Sequence, residues 1–529
     1  MSMNNNMSNN MNMELGQSYC FDDVLMEPLY STIVSRSHIS LDSNIGTNGR
    51  NLILKTPLIS SPMDTVTEKD MAIKMALCGG LGIIHRFMDI DEQVSHVTKV
   101  KRFLQYVITE PYTVTLDTTL DEIEHMSNLY NVFSFCIVDP KTNKFQGLIT
   151  HRDLEYMHYK HNQMDTPNKG NKGNKGNKIN KVRDFDSIID KAYVTLDSSI
   201  LESLDNTIKV AKELMLQNKI EKIPIITLDG TLSGLITLKN IRHYENNKSK
   251  ACIDANGALC VGAAIGIVGD YLQRLDALII AGADLICIDV ANGFNENVIN
   301  VIRVIRSKYP EIVLMAGNVC NWQGYEALCS TQLDIDCIRI GVGNGSICTT
   351  RLETGIGKGQ FSAVSECFRY KVISSSMYKP NIICDGGSLG KTGNKVKAIA
   401  CGASAIILGR TLASTEESPG QIIYRNGKRF KYIRGMASTM ANLSKQEKTE
   451  GSKKLKTNFT SEGVDGEQEL SGSVSDLIEQ LNGGIKSGLS YLGCKDIVEV
   501  HDKSARNEIK FNLVTSIGMT ETGIRVKSY

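Results

Sequence analysis

Eight short apolar runs, rich in isoleucine, leucine and valine, recur along the chain and lead into glycine or polar residues. In chain order they are Leu58–Met63, Leu81–His85, Leu259–Ile265, Leu285–Val290, Ile312–Gly317, Cys337–Gly341, Ile382–Gly387 and Ala405–Gly409. Most neighbouring runs are separated by enough residues for one helix, which is the pattern of parallel strands in βα units. Eight such units predict an α/β fold, a (β/α)₈ TIM barrel with its functional groups on the loops after the strands. A doubly wound parallel sheet is the alternative that this pattern leaves open.

The gap between the second and third runs is far longer than one helix requires, at about 170 residues. Within it, Val114–Asp117 recurs as Val194–Asp197, and Gly147–Thr150 recurs as Gly234–Thr237. Two matched tetrapeptides in the same order indicate a duplicated unit, although coincidence of common residues is the alternative. We therefore expect a second domain inserted after the second barrel strand.

These patterns predict the domain boundaries. Residues 14–104 and 247–529 form the two parts of the barrel, and residues 105–246 form the duplicated insert. The Asn/Met-rich tail at 1–13 is expected to be disordered. The low-complexity sequence NKGNKGNKGNK at 168–178 is expected to be a solvated loop within the insert.

Charge and cysteine spacing exclude several classes of protein. The 59 Lys and Arg residues nearly balance the 58 Asp and Glu residues, which argues against a basic surface for nucleic acid. No signal peptide is visible and no apolar run approaches 18 residues, so we expect a cytoplasmic protein without a membrane span. The 14 cysteines include no C-x-x-C spacing, which argues against a zinc ribbon or a thioredoxin-type site.

A glycine-rich loop, GVGNGSICTTR from Gly341 to Arg351, follows the sixth run. Three glycines in five residues allow tight turns and close approach of the backbone to a ligand or a monovalent cation. Cys348 lies in this polar loop near a cation, a setting that can lower a thiol pKa and activate a nucleophile. An inert thiol is the usual interpretation for any one cysteine, but a position after a barrel strand favours a catalytic role for Cys348.

Two later loops have the character of phosphate-binding loops. Cys384–Ser388 follows the seventh run and Leu408–Thr411 follows the eighth. Phosphate sites after strands 7 and 8 are common in these barrels, because free backbone N–H groups face the anion there. Arg410 can add a bidentate contact, whereas Asp385 suits a ribose hydroxyl better than a phosphate.

The Cys348 loop, the segments Phe21–Leu25 and Ser60–Val66, and the D-G-G sequence at Asp385 together resemble the IMP dehydrogenase/GMP reductase family. The resemblance covers nearly the whole chain outside the tails. It implies a (β/α)₈ barrel, usually a homotetramer, in which the loop cysteine attacks C2 of a purine nucleotide. The duplicated insert resembles the tandem CBS pair (Bateman module) of many members, which implies binding of purine nucleotides there and a bias between tetramer and octamer.

The resemblance also implies a role for individual residues, carried over by motif. The catalytic residues would be Cys348, Thr350 and Glu462. The nucleotide would contact Ser61, Met63, Ser346, Asp385, Gly386, Gly387, Gly409, Arg410, Gly435, Met436 and Ala437. The NADPH cofactor would contact Arg86, Asp289, Val290, Ala291, Asn318 and Gly341. A potassium ion (K+) would lie at Gly343, Gly345, Cys348 and Arg351.

The family name covers two reactions that share a covalent thioimidate. The dehydrogenase oxidises IMP with NAD to XMP, and the resemblance implies an Arg–Tyr pair on a flap that activates water. This chain has no arginine between Arg434 and Arg506 and no tyrosine between Tyr432 and Tyr491. The lysines of 445–456 do not replace a guanidinium base without a change of mechanism.

Two further motifs favour the reductase. The sequence D-V-A-N-G at Asp289–Gly293 and the sequence S-E-G at Ser461–Gly463 are similar to the reductase motifs, and Thr350 with Glu462 would relay a proton to departing ammonia. The prediction is an NADPH-dependent GMP reductase that forms IMP. The alternatives are an IMP dehydrogenase with a divergent flap, and an inactive nucleotide sensor, against which the intact Cys348 loop argues.

Several positions depart from the family pattern. Asn344 and Gly359 stand where the family has proline, which predicts looser loops at both places. Arg410 replaces a small residue, Arg86 replaces the lysine usual in reductases, and Ile433 replaces the tyrosine of dehydrogenases.

Overall fold

The computed structural model describes residues 16–104, 107–108, 111–130, 132–164, 181–185, 193–199, 204–387, 390–441, 443, 461–515 and 518. The tail expected at 1–13, the loop expected at 168–178 and the lysine-bearing stretch 445–456 lie outside the described residues.

Eight parallel strands close into a barrel. They are β1 (Leu58–Ser60), β2 (Leu81–Ile84), β3 (Gly262–Ile265), β4 (Leu285–Asp289), β5 (Val313–Val319), β6 (Cys337–Ile340), β7 (Asn381–Asp385) and β8 (Ala403–Leu408). Each strand pairs with its neighbour in sequence, and β8 pairs with β1 to complete the ring. The predicted (β/α)₈ barrel is confirmed, and the doubly wound sheet is excluded because an open sheet would leave two unpaired edges. All six residues of β8 are buried, as expected for a strand covered on both faces.

Helices follow the strands and cover the outside of the barrel. They are α1 (Lys69–Leu77), α2 (Ile90–Phe103), α3 (Tyr271–Ile280), α4 (Glu296–Lys308), α5 (Trp322–Leu328), α6 (Gln360–Ile373), α7 (Thr392–Ala400), α8 (Val474–Tyr491) and α9 (Ile497–Ala505). Two short helices, Thr350–Thr354 and Arg410–Ala413, lie in the loops after β6 and β8. The Asn295 side chain caps α4 by accepting from the N–H of Asn297, and the basic last turn of α4 complements the helix dipole.

A three-stranded antiparallel sheet holds both ends of the segment predicted to be a flap. Its strands are Ile422–Arg425, Lys428–Arg434 and Asp465–Glu469, with Arg434 opposite Asp465. The chain therefore leaves the sheet after Arg434 and re-enters it at Asp465 at the same end. This geometry brings the residues just after Arg434 close to those just before Asp465.

Two further small sheets lie outside the barrel. Val24–Met26 pairs antiparallel with Phe511–Leu513, which joins the two terminal regions. Ser43–Asn44 pairs with Ile53–Leu54, and the Ser43 hydroxyl donates to the Ser404 carbonyl, 2.6 Å away, at the start of β8.

A second compact unit comprises residues 102–249 together with 255–259. Its strands are Val107–Ile108, Thr113–Val114, Phe135–Val138, Phe145–Ile149, Leu196–Asp197, Lys222–Ile226 and Leu232–Thr237. Its longer helices are Leu120–Tyr130, His151–Met164, Leu204–Asn218 and Leu238–Asn247. In each half a short strand lies parallel to the first strand of an antiparallel hairpin, so the two halves share a topology.

Within the described part of the chain, no helix combines the length and the apolar character that crossing a bilayer requires.

Candidate active site

The three predicted catalytic side chains form a connected chain of polar atoms. The Sγ atom of Cys348 lies 3.2 Å from the Thr350 hydroxyl, and that hydroxyl donates to Glu462 Oε2, 2.7 Å away. Thr350 begins the short helix after β6, whereas Glu462 is 112 residues further along the chain. Because the hydroxyl contacts both groups, a proton can pass between the thiol and the carboxylate without a large movement.

Backbone hydrogen bonds hold Glu462 beside the cysteine loop. Its carbonyl accepts from the N–H of Thr349, 2.9 Å away, and its own N–H donates to Ala437, 3.1 Å away. Two residues after Glu462, the N–H of Val464 donates to the carbonyl of Ile347, 3.0 Å away. The segment that returns from the flap therefore lies between the cysteine loop and the Gly435–Ala437 loop, and its position is set by the main chain.

Two adjoining cavities open at the carboxyl end of the barrel. One, of about 420 Å³, is lined by all three catalytic residues and by the residues predicted for the cofactor, namely Arg86, Asp289, Val290, Ala291, Asn318 and Gly341. Gly343, Gly345, Gly435, Met436 and Ala437 also line this cavity. The other, of about 470 Å³, is lined by the remaining predicted nucleotide contacts, namely Ser61, Met63, Ser346, Asp385, Gly386, Gly387, Gly409 and Arg410.

Arg351 is the one predicted site residue that lines neither cavity. Its side chain packs behind the glycine loop, where a Cβ atom on Gly343 would meet its Cγ at 2.7 Å. Its guanidinium donates to the carbonyl of Lys358. Arg351 therefore supports the loop from outside the cavity.

An arginine that the sequence analysis did not single out lies in the cavity wall. Arg339, the third residue of β6, donates to Asp289 Oδ1 at 2.8 Å and to Asp385 Oδ2 at 2.7 Å. Asn318 also donates to Asp385 Oδ2, at 2.7 Å. Burial opposes the charge of Arg339, but the carboxylates of Asp385 and Asp289 raise its pKa well above the usual range. The signal available in the sequence was a single charge inside an otherwise apolar strand.

The two positions expected to loosen the loops make contacts that proline cannot make. The Asn344 amide donates to the side chain of Gln360, the first residue of α6, and Gln360 in turn donates to the carbonyl of Ile340, 2.7 Å away. The Gly359 N–H donates to the Ser18 hydroxyl at 2.6 Å, and a Cβ atom on Gly359 would lie 2.3 Å from the carbonyl oxygen of Tyr19. These contacts tie both loops to neighbouring segments, and an N-terminal segment fills the space beside Gly359. The expectation of looser loops stays a prediction.

Other cysteines near the site are chemically different from Cys348. Burial raises the pKa of Cys287 in β4 and of Cys384 in β7 to about 12, so both thiols stay protonated. Cys348 is partly exposed and lines the cavity. Position and exposure thus distinguish it from the buried thiols of the barrel strands.

Comparisons with known proteins agree with this geometry. Residues 18–525 match the family model described as the IMP dehydrogenase / GMP reductase domain. An inosine-5'-monophosphate dehydrogenase of Nitrosopumilus maritimus is 37% identical over 497 residues, covering 93% of this chain and 96% of the relative. The corresponding protein of Bacillus subtilis is 36% identical over 505 residues, covering 95% of this chain and 94% of the relative.

Solved structures of GMP reductase from Trypanosoma brucei are also similar. A cysteine-to-alanine variant in complex with guanosine 5'-monophosphate superimposes with a TM-score of 0.82 at 32% identity, covering 98% of this chain and 99% of that one. A complex with guanosine 5'-triphosphate gives a TM-score of 0.72 at 29% identity, covering 95% and 99%. Because the family match covers nearly the whole sequence and the barrel carries the motif residues in one site, this chain belongs to the IMP dehydrogenase/GMP reductase family of oxidoreductases.

Proposed function

We propose that this chain is a GMP reductase, which converts GMP to IMP and ammonia with NADPH. The observation that carries the proposal is the Thr350 hydroxyl between the Cys348 thiol and the Glu462 carboxylate, at 3.2 and 2.7 Å. A reductase must protonate a departing amine, and this relay reaches from a carboxyl group to the atom that attacks the substrate.

The chemistry begins when the thiolate of Cys348 attacks C2 of the guanine ring. The bond from C2 to the exocyclic nitrogen then breaks, and the nitrogen leaves as ammonia with a proton passed from Glu462 through Thr350. When bound, NADPH supplies the hydride that C2 requires. The C2–Sγ bond then breaks with its electron pair going to sulfur, which releases IMP and returns the thiolate of Cys348 for the next turnover.

The larger cavity supports a nucleotide in this position. Gly386, Gly387, Gly409 and Arg410 line this cavity, so main-chain N–H groups of the glycines and the guanidinium of Arg410 would bind the phosphate. Asp385 at the end of β7 offers a carboxylate to the ribose hydroxyls. The base would then reach the adjoining cavity, which Met436 and Cys348 both line.

The smaller cavity fits a nicotinamide group. The Asn318 Oδ1 atom is buried there and has no hydrogen-bond partner among the described residues. A carboxamide N–H would satisfy that oxygen, since a buried unpaired acceptor costs about 1–3 kcal/mol. Asp289 would contact the adjoining ribose, and Val290 and Ala291 would exclude water.

A potassium ion in the glycine loop is part of the same proposal. Among the described residues, no group of three or more His, Cys, Asp and Glu side chains is arranged to hold a metal ion. The ion would therefore depend on carbonyl oxygens of Gly343, Gly345 and Cys348, which suit a hard monovalent cation. Arg351 would contribute through its main chain, because its guanidinium cannot ligate a cation.

We also propose that the duplicated unit is a CBS pair that binds purine nucleotides and biases a homotetramer towards an octamer. Its support is the shared topology of the two halves and the repeated G-L-I-T strands. Light scattering during titration with ATP, GTP or GMP tests it. An unchanged particle mass and unchanged activity with all three nucleotides would refute it.

IMP dehydrogenase is the second candidate, because the curated relatives carry that name. The absence of arginine and tyrosine from 435–490 argues against it, since no Arg–Tyr pair is then available to activate water. The deciding experiment is a spectrophotometric assay of GMP with NADPH beside IMP with NAD. NADPH oxidation on addition of GMP supports the reductase, and NAD reduction with IMP alone refutes it.

A further inference from the structure

Arg339 lies between two carboxylates that line the smaller cavity. Its Nη1 donates to Asp289 at the end of β4, and its Nη2 and Nε donate to Asp385 at the end of β7. These strands are not neighbours, so the guanidinium spans the barrel mouth from its own strand, β6. Only 6% of its side chain is exposed, against 19% for Asp289 and 17% for Asp385.

The geometry uses one oxygen of each carboxylate. Arg339 contacts Oδ1 of Asp289 and Oδ2 of Asp385, and Asn318 also donates to that second oxygen. The Nε atom of Arg86 lies 3.9 Å from Asp289 Oδ2, too far for a hydrogen bond. Among the described residues, no hydrogen bond is made to the other oxygen of either aspartate, so both oxygens can accept from ligand hydroxyl groups.

We propose that Arg339 is a positioning residue that couples nucleotide binding to dinucleotide binding. A guanidinium is planar and its donors are fixed, so it cannot turn towards one aspartate without weakening its bond to the other. Ordering Asp385 against a nucleotide ribose thus fixes Arg339, which fixes Asp289 for the dinucleotide ribose. The proposal rests on the ribose contacts in the proposed function, but it is independent of the direction of the reaction.

Equilibrium binding to the full-length protein tests this coupling without turnover. The ligands are IMP, which both family reactions share, and NADP+, with NAD+ in parallel, each followed by calorimetry. Asp289→Asn should weaken IMP binding about 5-fold or more, and Asp385→Asn should weaken dinucleotide binding by a similar factor. Each substitution then affects the ligand that its own side chain does not contact.

Asp276→Asn is the matched control, because Asp276 pairs with Lys308 in an exposed ion pair on the outer helices. This variant should change neither dissociation constant. In the Asp289→Asn/Asp385→Asn double variant, the effects should be less than additive, since either single change already releases one side of Arg339.

Arg339→Lys keeps the positive charge but loses the planar set of donors that reaches both aspartates, so it should weaken the binding of both ligands. The coupling is overturned if Asp289→Asn leaves IMP binding unchanged, or if Arg339→Lys affects only one ligand. Failure of GMP to oxidise NADPH would refute the proposed function alone. If the wild-type protein bound neither IMP nor a dinucleotide, both proposals would fall.

Discussion

Two buried arginine–aspartate clusters lie at opposite ends of the barrel. At the amino end, Asp336 precedes β6 and accepts from Arg50 at 2.9 Å and from Arg306 at 3.0 Å. It also accepts from the N–H and hydroxyl of Thr47 and from the N–H of Leu314. At the carboxyl end, Arg339 bridges two aspartates that line a cavity.

The two clusters differ in how many of their side-chain oxygens can still accept a hydrogen bond from a ligand. Asp336 is fully buried, and its two oxygens together accept five hydrogen bonds from the protein. Asp289 and Asp385 are partly exposed, and Asn318 beside them keeps an acceptor without a partner among the described residues. Arginine and aspartate thus bond only to the protein at the amino end of the barrel, whereas at the carboxyl end they can also bind a ligand. This is expected when function lies at the carboxyl end of barrel strands.

Replacing the cysteine nucleophile should separate activity from stability most completely. Cys348→Ala should abolish turnover, because it removes the proposed nucleophile and Cys348 is the one cysteine among the described residues that line this cavity, while GMP binding and the unfolding temperature stay near wild type. Steady-state assays, calorimetry with GMP and thermal unfolding measure the three quantities. Cys20→Ala, at an exposed thiol, is the control and should leave turnover intact. Residual turnover above one-tenth of wild type would contradict the assignment of Cys348.

Substitution of Glu462 in the Cys348–Thr350–Glu462 proton relay should give the next largest loss of activity. Glu462→Gln keeps the size of the side chain but removes the ionisable group, so kcat should fall by about 10²–10⁴-fold with little change in stability. The matched control is Glu467→Gln, which alters an exposed ion pair with Arg425 on the adjoining sheet. Equal kcat values for the two variants would remove Glu462 from the relay.

The barrel and most of the site were predictable because they depend on local signals. Buried parallel strands are apolar runs, and glycine loops with a cysteine or D-G-G mark where those strands end. Arg339 was missed because its role depends on Asp289 and Asp385, which come from strands 50 and 46 residues away in sequence. A charged residue inside an apolar strand is the only local sign of such a bridge.

The close packing at Gly359 was not predicted, for a similar reason. A glycine in place of proline suggests a looser chain when only neighbours in sequence are considered. In the folded protein, Ser18 and Tyr19 fill that space from 340 or more residues away in sequence. Close approach of two main chains depends on tertiary packing, which no motif within the loop records.

At the amino end, substitution should affect stability and spare catalysis. Asp336→Asn removes the fully buried carboxylate between Arg50 and Arg306 and leaves them only Asp334 as a shared partner, so the free energy of unfolding should fall by up to about 3–5 kcal/mol. Urea denaturation measures this loss, and kcat per folded site should stay within twofold of wild type. Asp276→Asn, in its exposed pair, should cost less than about 1 kcal/mol. A large fall in kcat for the folded Asp336→Asn protein would contradict the division of roles between the two ends.

A histidine at the amino end should add a smaller, pH-dependent effect. Burial and the nearby Lys371 lower the pKa of His501 in α9 to about 4, although its ring contacts the Ala403 carbonyl at 3.2 Å, where β8 begins. Between pH about 6.5 and about 4, the unfolded chain binds this proton and the folded chain does not, so stability falls as pH falls through that window. The loss contributed by His501 should be at most about 3 kcal/mol.

The pH dependence of His501→Gln tests this contribution, because glutamine keeps an amide donor for Ala403 and has no charged form. Denaturation midpoints measured from pH 7 to pH 4 should fall less steeply for this variant than for wild type, whereas His38→Gln, at an exposed position, should follow the wild-type curve. Parallel curves for wild type and His501→Gln would show that the charge of His501 does not oppose folding. A shallower curve with unchanged kcat would place this titration at the closed end of the barrel, apart from the groups that bind substrate.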